Sequence, residues 1–209
     1  PNTPLKRING EYSKGIWGVV PRNKEQHFGL DLLLDTNVQV VSLIGKAGSG
    51  KTLCALAAGL QQVLEPKSRK KKHHDEGSET PYKRLIVTRP VQPLGKDIGF
   101  LPGTLEEKMA PWLMPVQDNL QFLLGDDKAT LEMYMDSGVI EIEALTYIRG
   151  RSIANAFIIV DEAQNLTKHE LKTIITRVGE GTKIVLTGDI EQIDNIYLDE
   201  TSNGLTYAV

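Results

Sequence analysis

The segment that most restricts the fold is IGKAGSGKTLCAL, residues 44–56. Its spacing fits the pattern G-x-x-x-x-G-K-[ST], with Gly45, Gly50, Lys51 and Thr52 at the four defined positions. Glycine weakens a packed helix or strand, so three glycines directly after an apolar run indicate a tight turn. The turn is preceded by a β-branched apolar run and followed by strong helix formers. The sequence therefore predicts a strand–loop–helix unit here.

Apolar runs alternate with helical patterns along the rest of the chain. Buried strands are predicted at 38–45, 84–88, 139–144, from 156 and at 182–189. Helices are predicted at 23–35, after Lys51, from Thr104, up to Gly138 and at 167–179, with capping boxes at Thr104/Glu107 and Thr167/Glu170. Pro111 and Pro115 should kink or divide the third helix. The alternation predicts an α/β fold, a mostly parallel sheet with helices on both faces.

The bulk composition fits one globular domain. A net charge of −3 means that any contact with nucleic acid must come from a local basic patch. The single cysteine, Cys54, excludes an internal disulfide and suits a reducing compartment. With no membrane-length apolar run and no signal peptide, we expect a cytoplasmic location without membrane contact. We expect an N-terminal linker at 1–22, a domain at 23–209, and a fragment of a longer protein.

The glycine-rich turn is suited to binding phosphate. Its backbone N–H groups can converge on phosphate oxygens, and the following helix adds the positive end of its dipole. Lys51 can reach the β- and γ-phosphates, and the Thr52 hydroxyl can bind Mg²⁺. The predicted nucleotide-binding residues of this turn are Gly45, Lys46, Ala47, Gly48, Ser49, Gly50, Lys51, Thr52 and Leu53.

Two further strands end in polar residues. The run FIIVDE ends in Asp161, a predicted Mg²⁺ ligand, and Glu162, a predicted general base for an attacking water. The run VLTGDIEQID carries Gln192, whose amide could sense the γ-phosphate. Ligands of doubly wound sheets bind at the carboxyl ends of the strands, so we expect these side chains to gather there with Lys51.

Four segments together resemble the PhoH family of ATPases: GKAGSGKT, TRPVQPLGKDIGFLPGTLEEKMAPW, YIRGRSIANAFIIVDEAQNLT and TGDIEQID. The resemblance runs from about Asn23 to the C-terminus. It implies a RecA-like P-loop NTPase fold, related to the first such domain of superfamily 1 helicases, and ATP hydrolysis with Mg²⁺ coupled to RNA. It also implies that Asp161 and Glu162 form the Walker B motif and that Gln26 could read the adenine ring.

The resemblance carries expectations about partners as well. Helicases supply an arginine to the γ-phosphate from a second domain, which this chain lacks room for, so a neighbouring subunit of a ring would donate it. The candidates are Arg89, Arg149, Arg151 and Arg177. Single-stranded RNA is expected near Arg89, Lys96 and Phe100, and the alternative for this loop is a lid or an intersubunit contact. Residues 1–26 resemble the linker that joins a PIN ribonuclease domain to this domain in longer relatives, but no PIN-like acidic quartet is visible, so we expect no nuclease activity from this fragment.

Two other classes of function stay open on the sequence. A nucleotide-binding switch or assembly module with little turnover would need no base at Glu162. A small-molecule kinase would use the same phosphate loop, but it usually has an arginine-rich lid, and the only close arginine pair here is in RGR, 149–151.

Overall fold

The computed structural model describes residues 15–65, 80–90, 105–148 and 152–208, without the side chains of 105–109, 146 and 147. Several sequence predictions lie outside this part of the chain. They are the Thr104/Glu107 capping box and the candidate contacts Lys96, Phe100, Arg149 and Arg151.

The described residues form a parallel sheet of five strands in the order β1-β5-β4-β2-β3. In chain order the strands are β1 (Val40–Ile44), β2 (Arg84–Arg89), β3 (Ile140–Ala144), β4 (Ala156–Val160) and β5 (Lys183–Gly188). In register, Ile44 lies opposite Gly188, and Val160 lies opposite Leu186. The carboxyl ends of β1, β5 and β4 therefore meet at one edge of the sheet.

Helices cover both faces of this sheet. They are α1 (Lys24–Leu34), α2 (Lys51–Leu64), α3 (Leu105–Leu123), α4 (Lys128–Asp136), α5 (Leu145–Ile148), α6 (Lys168–Ile175) and α7 (Gly204–Ala208), with a short 3-10 helix at Ala163–Asn165. Side chains alternate along each strand, so Phe157 and Ile159 pack into one core with α1–α4. Ile158 and Val160 pack into a second core with α5, α6 and α7. The predicted α/β architecture is confirmed.

The sequence predicts that Pro111 and Pro115 kink or divide the third helix, and the structure shows that they do not divide it. Both prolines lie within one continuous helix, α3. Each removes one backbone donor, but both residues are exposed, so water can bind the carbonyls that lose their partners. The opposite side of α3 remains anchored in the core by Val116 and Leu120.

The first strand is less buried than its apolar sequence predicts. Val40 and Ile44 are 50% and 41% exposed. The reason is that β1 is the outermost strand of the described sheet and is paired with β5 on one side only. An apolar run of this length does not distinguish an edge strand from a central one.

The helix after the acidic strand end begins with the predicted capping box and ends earlier than predicted. The Thr167 hydroxyl accepts from the Glu170 N–H, and the Glu170 carboxylate accepts from the Thr167 N–H. The helix stops at Ile175 rather than at Gly179. The Gly179 N–H instead donates to the Ile153 carbonyl just before β4, so the chain has already turned toward the sheet.

No helix in the described ranges is both long enough and apolar enough to cross a membrane.

Candidate active site

The glycine-rich turn connects β1 to α2 at the carboxyl edge of the sheet. Gly48 and Gly50 have φ values of 74° and 81°, in the left-handed region that favours glycine. The Gly45 N–H donates to the Gly188 carbonyl at 3.2 Å, and the Cys54 N–H donates to the Gly50 carbonyl at 2.9 Å. The turn is thus joined to β5 on one side and to the first turn of α2 on the other.

The side chain of Lys51 folds back over this turn. Its Nζ donates to the carbonyls of Gly45 and Lys46 at 2.6 and 2.8 Å, and to the Ser49 hydroxyl at 3.3 Å. These three partners are uncharged, so they leave the positive charge of the ammonium group to attract an anion at the turn.

The carboxylate of Asp161 lies directly beside the start of α2. Its Oδ1 accepts hydrogen bonds from the Thr52 hydroxyl at 2.7 Å and from the Thr187 hydroxyl at 2.6 Å. Asp161 is only 5% exposed. Its backbone N–H donates to the Thr88 carbonyl at 2.9 Å, which continues the β4–β2 pairing by one residue. Carboxylate and hydroxyl oxygens are the ligands that Mg²⁺ prefers, so this pair fits that ion.

Glu162 is held in a constrained geometry next to Asp161. Its φ of 55° is left-handed, although it is not a glycine, and it immediately precedes the 3-10 helix. Its carboxylate accepts from the Gln164 side-chain amide. It also pairs with Arg89, whose Nη2 lies 3.5 Å from Glu162 Oε1. Arg89 additionally donates from Nη1 to the Trp112 carbonyl at 3.4 Å.

The turn after β5 completes the same edge. Asp189 is buried, and its Oδ2 accepts from the Ala47 N–H of the glycine-rich turn at 2.8 Å. The Gln192 N–H donates to the Asp189 carbonyl at 3.0 Å. A cavity of about 260 Å³ is lined by residues from all of these segments, including Gly50, Lys51, Thr52, Asp161, Glu162 and Gln192. The structure thus brings the predicted phosphate, metal, base and sensor residues around one cavity.

Gln26 also reaches the glycine-rich turn. Its Nε2 donates to the Ser49 carbonyl at 3.0 Å, and its Oε1 accepts from the Arg22 N–H at 2.7 Å. The side chain is therefore fixed beside the loop rather than free on the surface of α1.

The candidate arginines lie in different places. Arg89 is next to Glu162 in the same chain. Arg177 lies near the amino end of β4, since its carbonyl accepts from the Ile153 N–H, and this is the opposite edge of the sheet. Arg149 and Arg151 lie outside the described residues.

Two residues of this site were missed in the sequence. Thr187 could have been recognised from the sequence, because it is a polar residue inside an apolar strand and lies on the same face as Asp189. Gln164 sits in a short polar stretch, DEAQN, that gives no indication of burial, yet its side chain is fully enclosed.

The sheet order and the cavity at the glycine-rich turn define this chain as a P-loop NTPase-type nucleotide-binding domain. The family model described as "PhoH-like protein" matches residues 18–209. The chain belongs to the PhoH family, which confirms the resemblance drawn from its motifs.

Curated relatives agree with this assignment. Over 209 residues the chain is 54% identical to "Protein PhoH2" of Bacillus subtilis, covering 99% of this chain and 44% of that protein. It is 43% identical to "Protein PhoH2" of Mycolicibacterium smegmatis over 87% of this chain and 38% of that protein. It is 42% identical to a "PhoH-like protein" of Bacillus subtilis over 72% of this chain and 42% of that protein. The chain thus spans less than half the length of these relatives.

Proposed function

We propose that this chain binds ATP with Mg²⁺ and hydrolyses the terminal phosphoanhydride bond, and that single-stranded RNA stimulates the reaction. The observation that carries the proposal is the 2.7 Å hydrogen bond from Thr52 to Asp161. It brings the hydroxyl of the phosphate loop and the carboxylate of the acidic strand end to one point. Glu162 lines the same cavity. The RNA part rests on the PhoH resemblance.

The residues of the glycine-rich turn bind the nucleotide. Backbone N–H groups of the turn donate to phosphate oxygens, and Lys51 exchanges its neutral carbonyl partners for phosphate. Thr52 and Asp161 supply two oxygen ligands for Mg²⁺, a number typical of sites in which phosphates and water complete the shell. When bound, the ion neutralises charge that develops on the phosphates. Gln26 contacts the base in this proposal; its support is the hydrogen bond from Gln26 Nε2 to the Ser49 carbonyl, which holds the side chain beside the turn.

Glu162 accepts the proton of the attacking water. The water oxygen forms the new bond to the γ-phosphorus, the bond to the bridging oxygen breaks, and ADP leaves with that electron pair. Gln192 lines the same cavity, so its amide can donate to a γ-phosphate oxygen and accept from the water. Each contact orients one participant relative to the others, which is how most phosphoryl transfer is catalysed.

The reaction also needs a positive charge at the γ-phosphate. An arginine usually supplies it, and its contribution is ~10³–10⁵ in rate. We propose that a neighbouring subunit of a homo-oligomeric ring donates it from Arg149, Arg151 or Arg177. Arg89 is a candidate within the same chain, because it already lies beside Glu162. An ATPase-active monomer in light scattering would exclude donation from a neighbour.

The central test compares phosphate release by the parent and by Glu162→Gln. Loss of a general base lowers turnover by ~10²–10⁴-fold, while binding of a fluorescent ATP analogue should persist. Glu180→Gln is the matched control, since Glu180 is exposed and its carbonyl contacts Asn155 at the opposite edge of the sheet. Equal turnover in Glu162→Gln and the parent would exclude Glu162 as the base.

The proposed stimulation by RNA is tested in a separate experiment. Turnover is measured with and without single-stranded RNA at two salt concentrations, because phosphate contacts weaken steeply as salt rises. Salt-sensitive stimulation supports RNA coupling. No stimulation at either concentration overturns that part and leaves the ATPase proposal standing.

One observation favours a nucleotide-binding switch as the second candidate. Both Arg89 and Gln164 contact the Glu162 carboxylate, so the base is occupied by two partners. A switch predicts tight nucleotide binding with the same very slow turnover in the parent and in Glu162→Gln.

A further inference from the structure

We propose that Gln164 is a positioning residue that fixes the Glu162 carboxylate relative to the turn after β5. This inference rests on the proposed ATP hydrolysis. Gln164 is 0% exposed, and its side chain contacts three different groups of the site. Its hydrogen bonds go to Glu162, Gln192 and Asp189 and not to the glycine-rich turn, so its effect on the reaction passes through other residues.

The hydrogen bonds of Gln164 define the orientation of its amide. Its Oε1 accepts from the Asp189 N–H at 3.2 Å, and this contact can be made only by the oxygen end. The nitrogen end therefore faces the other way, where Nε2 donates to the Glu162 carboxylate and to the Gln192 carbonyl at 2.9 Å. Both N–H bonds of the amide are used. The carboxylate is thus tied to the turn by a side chain whose own rotation is fixed.

The glycine at position 188 is explained by this side chain. A Cβ built on Gly188 would collide with Gln164 Oε1 and would lie 2.6 Å from Leu205 Cδ2. Gly188 does not have a positive φ. Space for Gln164 and Leu205, rather than backbone conformation, therefore requires glycine at this position.

The turn that Gln164 holds is itself joined to the phosphate loop. Asp189, whose N–H is bound by Gln164, accepts a hydrogen bond at Oδ2 from the Ala47 N–H at 2.8 Å. Gln164 consequently sets the distance between the base, on one side, and the loop and sensor, on the other. A small displacement of a positioned catalytic group costs about 10²-fold in rate, so the amide should affect turnover rather than nucleotide binding.

The experiment uses Gln164→Met, which keeps the length of the side chain and removes its three hydrogen bonds. We expect kcat to fall about 10–100-fold while the Kd for a fluorescent ATP analogue stays within about twofold. Gln62→Met is the matched control. Gln62 is also buried, at 2% exposed, but it donates to the Leu33 and Ala58 carbonyls away from the site. Gln62→Met can lower stability and should leave kcat unchanged.

A double-mutant cycle with Glu162→Gln separates positioning from a general structural effect. If Gln164 acts through Glu162, adding Gln164→Met to Glu162→Gln changes turnover by less than about twofold, because coupled residues are not additive. Additive losses would overturn the inference. So would unchanged kcat in folded Gln164→Met.

A second variant covers the case in which Gln164→Met fails to fold. Gln164→Ala removes the donor to Glu162 and the acceptor for the Asp189 N–H without adding bulk or charge beside Glu162. The same loss of kcat is expected, and full activity would overturn the inference. A wild-type chain without ATP turnover would overturn the proposed function itself, and this inference with it, whereas an active wild type with an equally active variant overturns the inference alone.

Discussion

The Thr52 hydroxyl donates to Asp161 Oδ1 across 2.7 Å, although the two residues are 109 positions apart in the chain. The strands that precede them, β1 and β4, are not neighbours, since β5 lies between the two. Thr187 of β5 donates to the same oxygen at 2.6 Å and so fills the space between them. The proposed metal-binding pair therefore depends on the order of the strands as well as on the two motifs.

Thr52→Val tests this pair by removing the hydroxyl while keeping the branched shape. A hydrogen bond to a charged group contributes ~1.5–3 kcal/mol, so the Mg²⁺ concentration for half-maximal turnover should rise about 10–100-fold. Thr52→Ser keeps the hydroxyl and should stay close to the parent. The measurement is a Mg²⁺ titration of phosphate release. An unchanged requirement in Thr52→Val would exclude Thr52 as a ligand.

Thr187→Val should destabilise the chain, because it removes a donor from a buried carboxylate. Thr187 is 0% exposed, so water cannot replace its hydroxyl. The free energy of unfolding should fall by ~1–3 kcal/mol in urea denaturation. Thr187→Ser retains the donor and should lose only about 1 kcal/mol for the missing methyl group. If the valine variant were as stable as the parent, the hydrogen bond to Asp161 would contribute nothing to stability.

Lys183 should stabilise the junction between α1 and the sheet. It is 0% exposed. Its Nζ donates to the carbonyls of Leu32, Leu33 and Asp35 at 2.8, 2.7 and 2.9 Å, where α1 ends. Lys183→Met leaves these carbonyls without their donor and should lower the free energy of unfolding by ~1–3 kcal/mol.

Lys172→Met is the control for this substitution. Lys172 is exposed on α6, so its replacement should change stability by less than about 0.5 kcal/mol. Thermal or urea unfolding of both variants checks the difference. If Lys183→Met and Lys172→Met had equal free energies of unfolding, the three carbonyl contacts of Lys183 would make no measurable contribution to stability.

The Asp199 carboxylate should make the free energy of unfolding depend on pH in the acid range. It lies in the segment after β5. Hydrogen bonds from Thr201 and Ser202 lower the pKa of the Asp199 carboxyl from 3.8 to about 2. Because the folded pKa is below the unfolded one, this stabilisation is complete above the unfolded pKa and is lost as pH falls through about 2.

The measurement is urea unfolding of the parent and of Asp199→Asn across the acid range. The difference in their free energies of unfolding should be constant above about pH 5 and shrink between about pH 4 and 2. A difference that stays flat over that interval, or grows toward acid, would contradict the role of the ionised carboxylate.

Much of the architecture follows from short-range patterns. The alternation of apolar runs and helical segments predicts the parallel sheet covered on both faces, and the glycine-rich turn between β1 and α2 follows from its spacing. The Thr167/Glu170 capping box is confirmed. It could be predicted because both of its hydrogen bonds join residues three positions apart. The errors arise where burial decides the outcome, as for the exposed prolines of α3 and the edge position of β1.

The sequence by itself determined which chemical groups stand at the ends of the strands, since Lys51, Thr52, Asp161 and Glu162 each follow a recognisable local pattern. Only the tertiary structure decided which groups hold them. Thr187 donates to Asp161 and Gln164 donates to Glu162, and both are ordinary polar side chains whose roles arise from burial against these partners. The physical reason is that local propensity depends on neighbours in the chain, whereas a buried polar group takes its partner from the order in which the strands assemble.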